Sequence, residues 1–183
     1  MADLLTHVRR TPDRLLHPLR RRKALEALRE RPRPSAVLAV CHGNICRSPV
    51  AGALLGRALV PFGIAVQSAG FIGFNRPAPA HAVAAAARHS VDLSGHRSRL
   101  LTADVVRAAD LIVVMEQAQR RLLCERFGRL PQDVLLLGDF DPGPVETRSI
   151  RDPLDQRREV FDEVYDRIAR CVREFATALP AKS

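Results

Sequence analysis

The sequence predicts an α/β protein with three layers: a four-stranded parallel sheet with helices flanking it. Three observations lead there. Short, continuous apolar runs recur along the chain, as strands buried on both faces require. Longer segments of helical character alternate with them, which is the pattern of a parallel sheet. A Cys…Arg-Ser segment also separates the first run from the first following helix, at the strand edge where open parallel sheets bind their ligands.

The elements follow in order. Ala36–Val40 is the first buried strand. Ser48 to Leu59 is a helix, with Pro49 in its first turn and Ala- and Leu-rich sequence after it. Ile64–Ser68 is a second strand and Ala80–His89 an Ala-rich helix. Asp110–Met115 is a third strand, Glu116–Phe127 a helix, and Asp133–Leu137 a fourth strand. Leu154 to about Leu179 is a long amphipathic helix whose apolar positions Val160, Phe161, Val164, Ile168, Cys171, Val172 and Phe175 keep three-four spacing. No internal repeat is present.

Residues 35–183 read as one domain and residues 1–34 as a basic extension. Of the net charge of +9, the first 34 residues hold +6, from ten Lys/Arg against four Asp/Glu. Within the extension Leu19–Glu30 suits a short helix with Leu25 and Leu28 on one face. Pro12 and Pro18 limit longer helices before it, and Pro32 and Pro34 close it. The arm reads either as a solvated segment packed loosely on the core or as a docking element for an acidic partner or an anionic surface.

Composition excludes several classes. No apolar run reaches the roughly 18 residues of a membrane helix, and no export signal is legible, so a cytoplasmic location with reduced thiols is expected. Cys41, Cys46, Cys124 and Cys171 contain no Cys-x-x-Cys pair and no clustered histidines, so no metal site or cofactor is called for. With no Trp, one Tyr and no recognisable module, a nucleic-acid partner is not expected. Cys124 and Cys171 read as buried packing residues on helix faces.

The chemistry gathers in Cys41-His-Gly-Asn-Ile-Cys-Arg-Ser-Pro49, which runs from a strand end to a helix start. A loop entering a helix presents free amide N–H groups and a positive dipole end, which makes an anion site. A thiol there, near a cation, is more acidic than a free one at about 8.5, so Cys41 is expected as a thiolate nucleophile. Arg47 offers a planar fork for two phosphate oxygens. Gly43 lets the backbone curl around an anion, and Ser48 can donate its hydroxyl to the sulfur. His42 is adjacent, but neighbours on an extended chain point to opposite sides, so no Cys–His dyad is expected.

This segment resembles the phosphate loop of the low-molecular-weight protein tyrosine phosphatases. The resemblance extends from about Ser35 through Ser68-Ala-Gly70, His96-Arg-Ser98, Ala109–Met115, Leu136–Pro142 and Asp152-Pro153. It implies attack by Cys41 on phosphorus, a phosphocysteine intermediate, and hydrolysis of phosphotyrosine in a protein substrate. Residues 42–46 (His42, Gly43, Asn44, Ile45, Cys46) and Ser48 would cradle the phosphate. Of the two Asp-Pro pairs, the resemblance assigns the proton to Asp152 rather than Asp141; Asp152 also suits a cap on the last helix. Asn44, Ser48, Ser68 and His96 match a network that braces the loop, with a satisfied surface histidine as the other reading of His96. Cys46 matches a second loop thiol able to form a reversible disulfide with Cys41.

Phe74 falls at a pocket-wall position where a phosphotyrosine ring would stack, or is an exposed packing residue. Many family members carry two aromatics after the second Asp-Pro; here Leu154-Asp155 makes one wall less aromatic. Ile45 stands where related arginine phosphatases tend to have Thr, and favours tyrosine. The alternatives are an arsenate reductase of the same fold using an external thiol, and a phosphoprotein-binding module. Residues 69–123 lack the cysteines an internal-thiol reductase needs.

Overall fold

A computed structural model describes residues 2–179. Four strands form one sheet in the order β2-β1-β3-β4: β1 (Ala36–Cys41), β2 (Ala65–Gly70), β3 (Leu111–Val114) and β4 (Val134–Leu136). Every pairing is parallel, with Cys41 opposite Gly70 and Val40 opposite Val114. Side chains alternate across β1. Val37, Ala39 and Cys41 enter the larger core with α2 (Arg47–Leu59), α3 (Ala80–Ala87) and α6 (Arg158–Ala178). Leu38 and Val40 enter a second core on the other face, with Val106 of α4 (Ala103–Arg107) and Leu123 of α5 (Gln117–Phe127). These two cores make the sheet the middle of three layers. Asp110 fixes the start of β1: its carboxylate accepts from Ser35 N, Ser35 Oγ and Ala36 N, and these bonds hold its pKa below the usual range.

The predicted strands and helices are present with boundaries shifted by one or two residues, and the structure adds α4 and three short 3₁₀ turns. The last helix is a larger correction. It begins at Arg158, four residues after the expected Leu154. The intervening chain turns instead: Leu154 N donates to Asp152 Oδ1 (3.2 Å), Gln156 N donates to the Pro153 carbonyl (3.0 Å), and Asp155 is left-handed at φ 59°. The N-cap is therefore Arg157, and Asp152 does not cap the helix. Cys171 is buried as expected, but Cys124 is only half-buried.

The N-terminal segment also departs from expectation. A single helix, α1 (Ala2–Glu30), passes through positions 12 and 18. Each internal proline removes a helix hydrogen bond, at about 3 kcal/mol. Tertiary contacts offset this. Leu25 and Leu28 are buried in the larger core, and His17 Nε2 donates to the Asp141 carbonyl at 2.9 Å. Arg21 pairs with Glu174 of α6, and Asp13 accepts from Arg148 N. Arg31 reaches Asp133 at 3.0 Å. The segment from residue 13 to residue 31 is thus packed on the fold rather than loosely solvated.

Candidate active site

Cys41 is the last residue of β1, and its loop turns directly into α2. No side chain caps the first turn of α2, so that turn keeps amide N–H groups for an anion. Ser48 Oγ donates to Cys41 Sγ at 3.1 Å. The loop is held from both sides. Asn44, left-handed at φ 49° and fully buried, uses its whole side chain: Nδ2 donates to Ser48 Oγ (2.9 Å) and Ser68 Oγ (3.0 Å), while Oδ1 accepts from Arg99 N (2.8 Å). His96 Nε2 donates to the Asn44 carbonyl at 2.7 Å, which fixes the imidazole tautomer. The bracing set of Asn44, Ser48, Ser68 and His96 is therefore contiguous. His42 is exposed, and its carbonyl accepts from Ile72 N.

Arg47 is 1% exposed. Its guanidinium is oriented by Glu116, by Asp152 Oδ2 and by the Ile150 carbonyl (3.0 Å), while its buried Nε has no hydrogen-bond partner among the described residues. An orphaned donor at a buried cation is what an oxyanion would satisfy. Ile150 N donates to the Met115 carbonyl at the end of β3, and this seats the Asp152 segment on the carboxyl edge of the sheet. Asp152, with its side chain 43% exposed, thus stands at the mouth of the site. Asp141 does not: it is 1% exposed and gripped by Arg167 and Arg170.

Cys46 is buried, and its thiol is pushed up to about 12, first by burial and then by the negative charge of Asp152 and the neighbouring Cys41. A thiol held protonated is a poor nucleophile. All four cysteines are free.

A cleft of about 40 Å³ opens over Cys41, lined also by His42, Gly43, Ile45, Cys46 and Asp152. That exceeds the roughly 10–15 Å³ a single water needs. Its apolar walls include Ile72 and Leu154, together with the stem of Arg76. Phe74 is 76% exposed and is not among the lining residues, so in this conformation Ile72 occupies the wall expected of it.

Four contributors escaped the sequence reading. Glu116, expected only as a helix start, orients Arg47 and is itself held by Gln119 Nε2. Tyr165, the only tyrosine, donates to the Cys46 carbonyl at 2.9 Å and satisfies a buried loop acceptor. Gly70 lies so near the loop that a Cβ there would stand 2.7 Å from Asn44 N and 2.8 Å from the His42 carbonyl oxygen. Protein atoms do not impose the same demand at Gly43, where a Cβ would meet its nearest neighbour at 3.6 Å. Arg76 is the fourth.

A thiol at a strand end, an uncapped helix start, a buried arginine and a carboxylate at the mouth define a cysteine-dependent phosphatase of the open-sheet class. Comparison with known proteins agrees. The family model for low molecular weight phosphotyrosine protein phosphatase matches residues 36–183, and the chain belongs to that family. Etp of Escherichia coli K12, a low molecular weight protein-tyrosine-phosphatase, is 36% identical over 146 residues, covering 79% of this chain and 95% of that protein. The crystal structure of the Erwinia amylovora tyrosine phosphatase AmsI superposes with a TM-score of 0.73 at 32% identity, over 81% of this chain and 95% of that one. The Geobacillus stearothermophilus arginine phosphatase YwlE is also similar, with a TM-score of 0.70 at 29% identity over 79% and 92% of the two chains.

Proposed function

We propose that this protein is a protein tyrosine phosphatase that hydrolyses phosphotyrosine and small aryl phosphates through a phosphocysteine intermediate. The observation that carries the reading is Cys41 Sγ, 3.1 Å from Ser48 Oγ, in a loop that leads straight to the buried Arg47. The Cys41 thiolate attacks phosphorus in line with the aryl oxygen; the S–P bond forms as the P–O bond to the phenol breaks. Loop amides and Arg47 take the charge on the equatorial oxygens. Asp152 gives its proton to the leaving phenolate. It then takes a proton from the water that attacks phosphorus and releases the Cys41 sulfur. Ser48 stabilises that sulfur in both steps.

Tyrosine rather than arginine is favoured by the names of the more similar relatives and by Ile45, which is buried and lines the cleft. The substrate is accordingly a tyrosine-phosphorylated protein, met in the cytoplasm. Among the described residues no helix is long and apolar enough to cross a membrane. The free side of α1, where exposed Leu15, Leu16 and Leu19 accompany arginines, suits contact with an acidic partner or an anionic surface.

The test is turnover of phosphotyrosine, phosphoarginine and arsenate by the same protein, with Cys41→Ser, Asp152→Ala and Asp141→Ala beside it. Phosphotyrosine should be the substrate, and Cys41→Ser should abolish its hydrolysis. Asp152→Ala should slow kcat by about 10²–10⁴-fold, while Asp141→Ala acts mainly on stability. Faster arsenate reduction, or turnover by the serine variant, would overturn the reading.

A further inference from the structure

Arg76 lines the cleft, yet no step of the reaction uses it. Among the cleft-lining residues other than the nucleophile, Arg76 is the basic one and Asp152 the acidic one, and Asp152 is paired with Arg47. Among the described residues the Arg76 guanidinium has no ion-pair or hydrogen-bond partner. Its backbone, by contrast, is fixed. Arg76 N donates to Ser98 Oγ (2.9 Å), Ser98 N donates to the Arg76 carbonyl (2.8 Å), and Asn75 N donates to the Ser98 carbonyl (2.9 Å). Pro77 and Arg97 add an antiparallel bridge.

The chain shape before Arg76 serves its stem. Gly73 and Asn75 are both left-handed, at φ 79° and 57°. A Cβ on Gly73 would come within 2.8 Å of Arg76 Cδ and 3.3 Å of its Nη1; on Gly43 it would lie 3.7 Å from the same Nη1. The stem therefore crosses one bare glycine, and the guanidinium ends beside the phosphate loop at another. The positive charges of Arg47 and Arg76 both pull the Cys46 thiol downward, against its burial, which is consistent with a cation at this range.

Arg47 is buried under the phosphate position, whereas Arg76 is exposed at the rim. A rim cation meets groups of the substrate outside the reacting phosphate. We propose that Arg76 is a specificity residue that selects phosphotyrosine flanked by an acidic side chain, binding that carboxylate while Arg47 holds the phosphate. This rests on the phosphatase reading above.

The experiment compares kcat/KM for two phosphotyrosine peptides that differ only in having Glu or Gln beside the phosphotyrosine. Exposed ion pairs set the scale, so the wild-type protein should prefer the Glu peptide by roughly two- to fivefold. Arg76→Gln should erase that preference and Arg76→Lys should keep it. Raising the salt from about 0.1 M to about 1 M, which shortens the screening length from about 10 Å to about 3 Å, should shrink it. Equal rates on the two peptides by the wild-type protein would overturn the proposal. So would an equal loss on both in Arg76→Gln, which would place Arg76 on the phosphate itself. No turnover of either peptide would instead overturn the phosphatase reading beneath it.

Discussion

Replacing Asn44 by Ala should be among the most damaging small changes outside the reacting groups. Its side chain makes three hydrogen bonds, to Ser48, Ser68 and Arg99, from a fully buried position. At about 1 kcal/mol each, their loss removes about 3 kcal/mol. Ala also takes up the left-handed backbone at φ 49° less readily than Asn, which adds about 1 kcal/mol. The expected loss is thus about 4 kcal/mol, read as a shift in the urea midpoint at unchanged slope. Asn44→Gly separates the two causes, because glycine accepts the left-handed region freely; it should lose about 3 kcal/mol and recover the difference. Both variants should also lower kcat, since Ser48 loses the partner that aims it at Cys41. A loss below about 1 kcal/mol in Asn44→Ala, or the same stability in Ala and Gly, would refute this account.

Two further outcomes are expected. The thiols of Cys46 and Cys171 are both raised from 9.0 to about 12, first by burial, and Tyr165 is raised for the same reason. Between about 9 and about 12 the unfolded chain therefore binds fewer protons than the folded one, so unfolding free energy falls as pH rises, on the order of 1 kcal/mol per pH unit for each thiol. Denaturation at about pH 8 and about pH 10 checks this; equal stabilities would contradict it. Removing residues 1–34 uncovers the core at Leu25 and Leu28, a loss of about 3–6 kcal/mol and roughly 10 °C or more in Tm. Turnover of a small aryl phosphate well below that temperature should survive, because among the described residues none of α1 lines the cleft; an abolished turnover in a folded truncation would show that the helix helps to build the site.

What could be read from the sequence was what is local. Each strand announced itself as a short apolar run, and the loop of Cys41 to Ser48 carries its whole logic within eight consecutive residues. The braces at Asn44, Ser68 and His96 were legible only through the family pattern, since they are joined across as many as 52 residues. Glu116, Tyr165 and the Ile150 carbonyl left no local signal. Topology alone brings the ends of β3 and the face of α6 against Arg47 and Cys46. Position 18 misled for the same reason: a proline speaks for its own turn of helix and says nothing of the two leucines that later bury the next turns. Asp152 misled in the opposite sense, because Asp-Pro usually opens a helix, whereas here its carboxylate is occupied by Leu154 N and Arg47.

Asp141, through its backbone carbonyl and its carboxylate, joins parts of the chain made at very different times. Its carbonyl receives His17, while its side chain receives Arg167 and Arg170. On a ribosome the first helix emerges with its leucines bare and must wait for almost the entire chain before Glu174 and the last helix complete its seat. α1 is therefore made well before the residues that seat it, and until α6 follows, Leu25 and Leu28 lack the core that buries them.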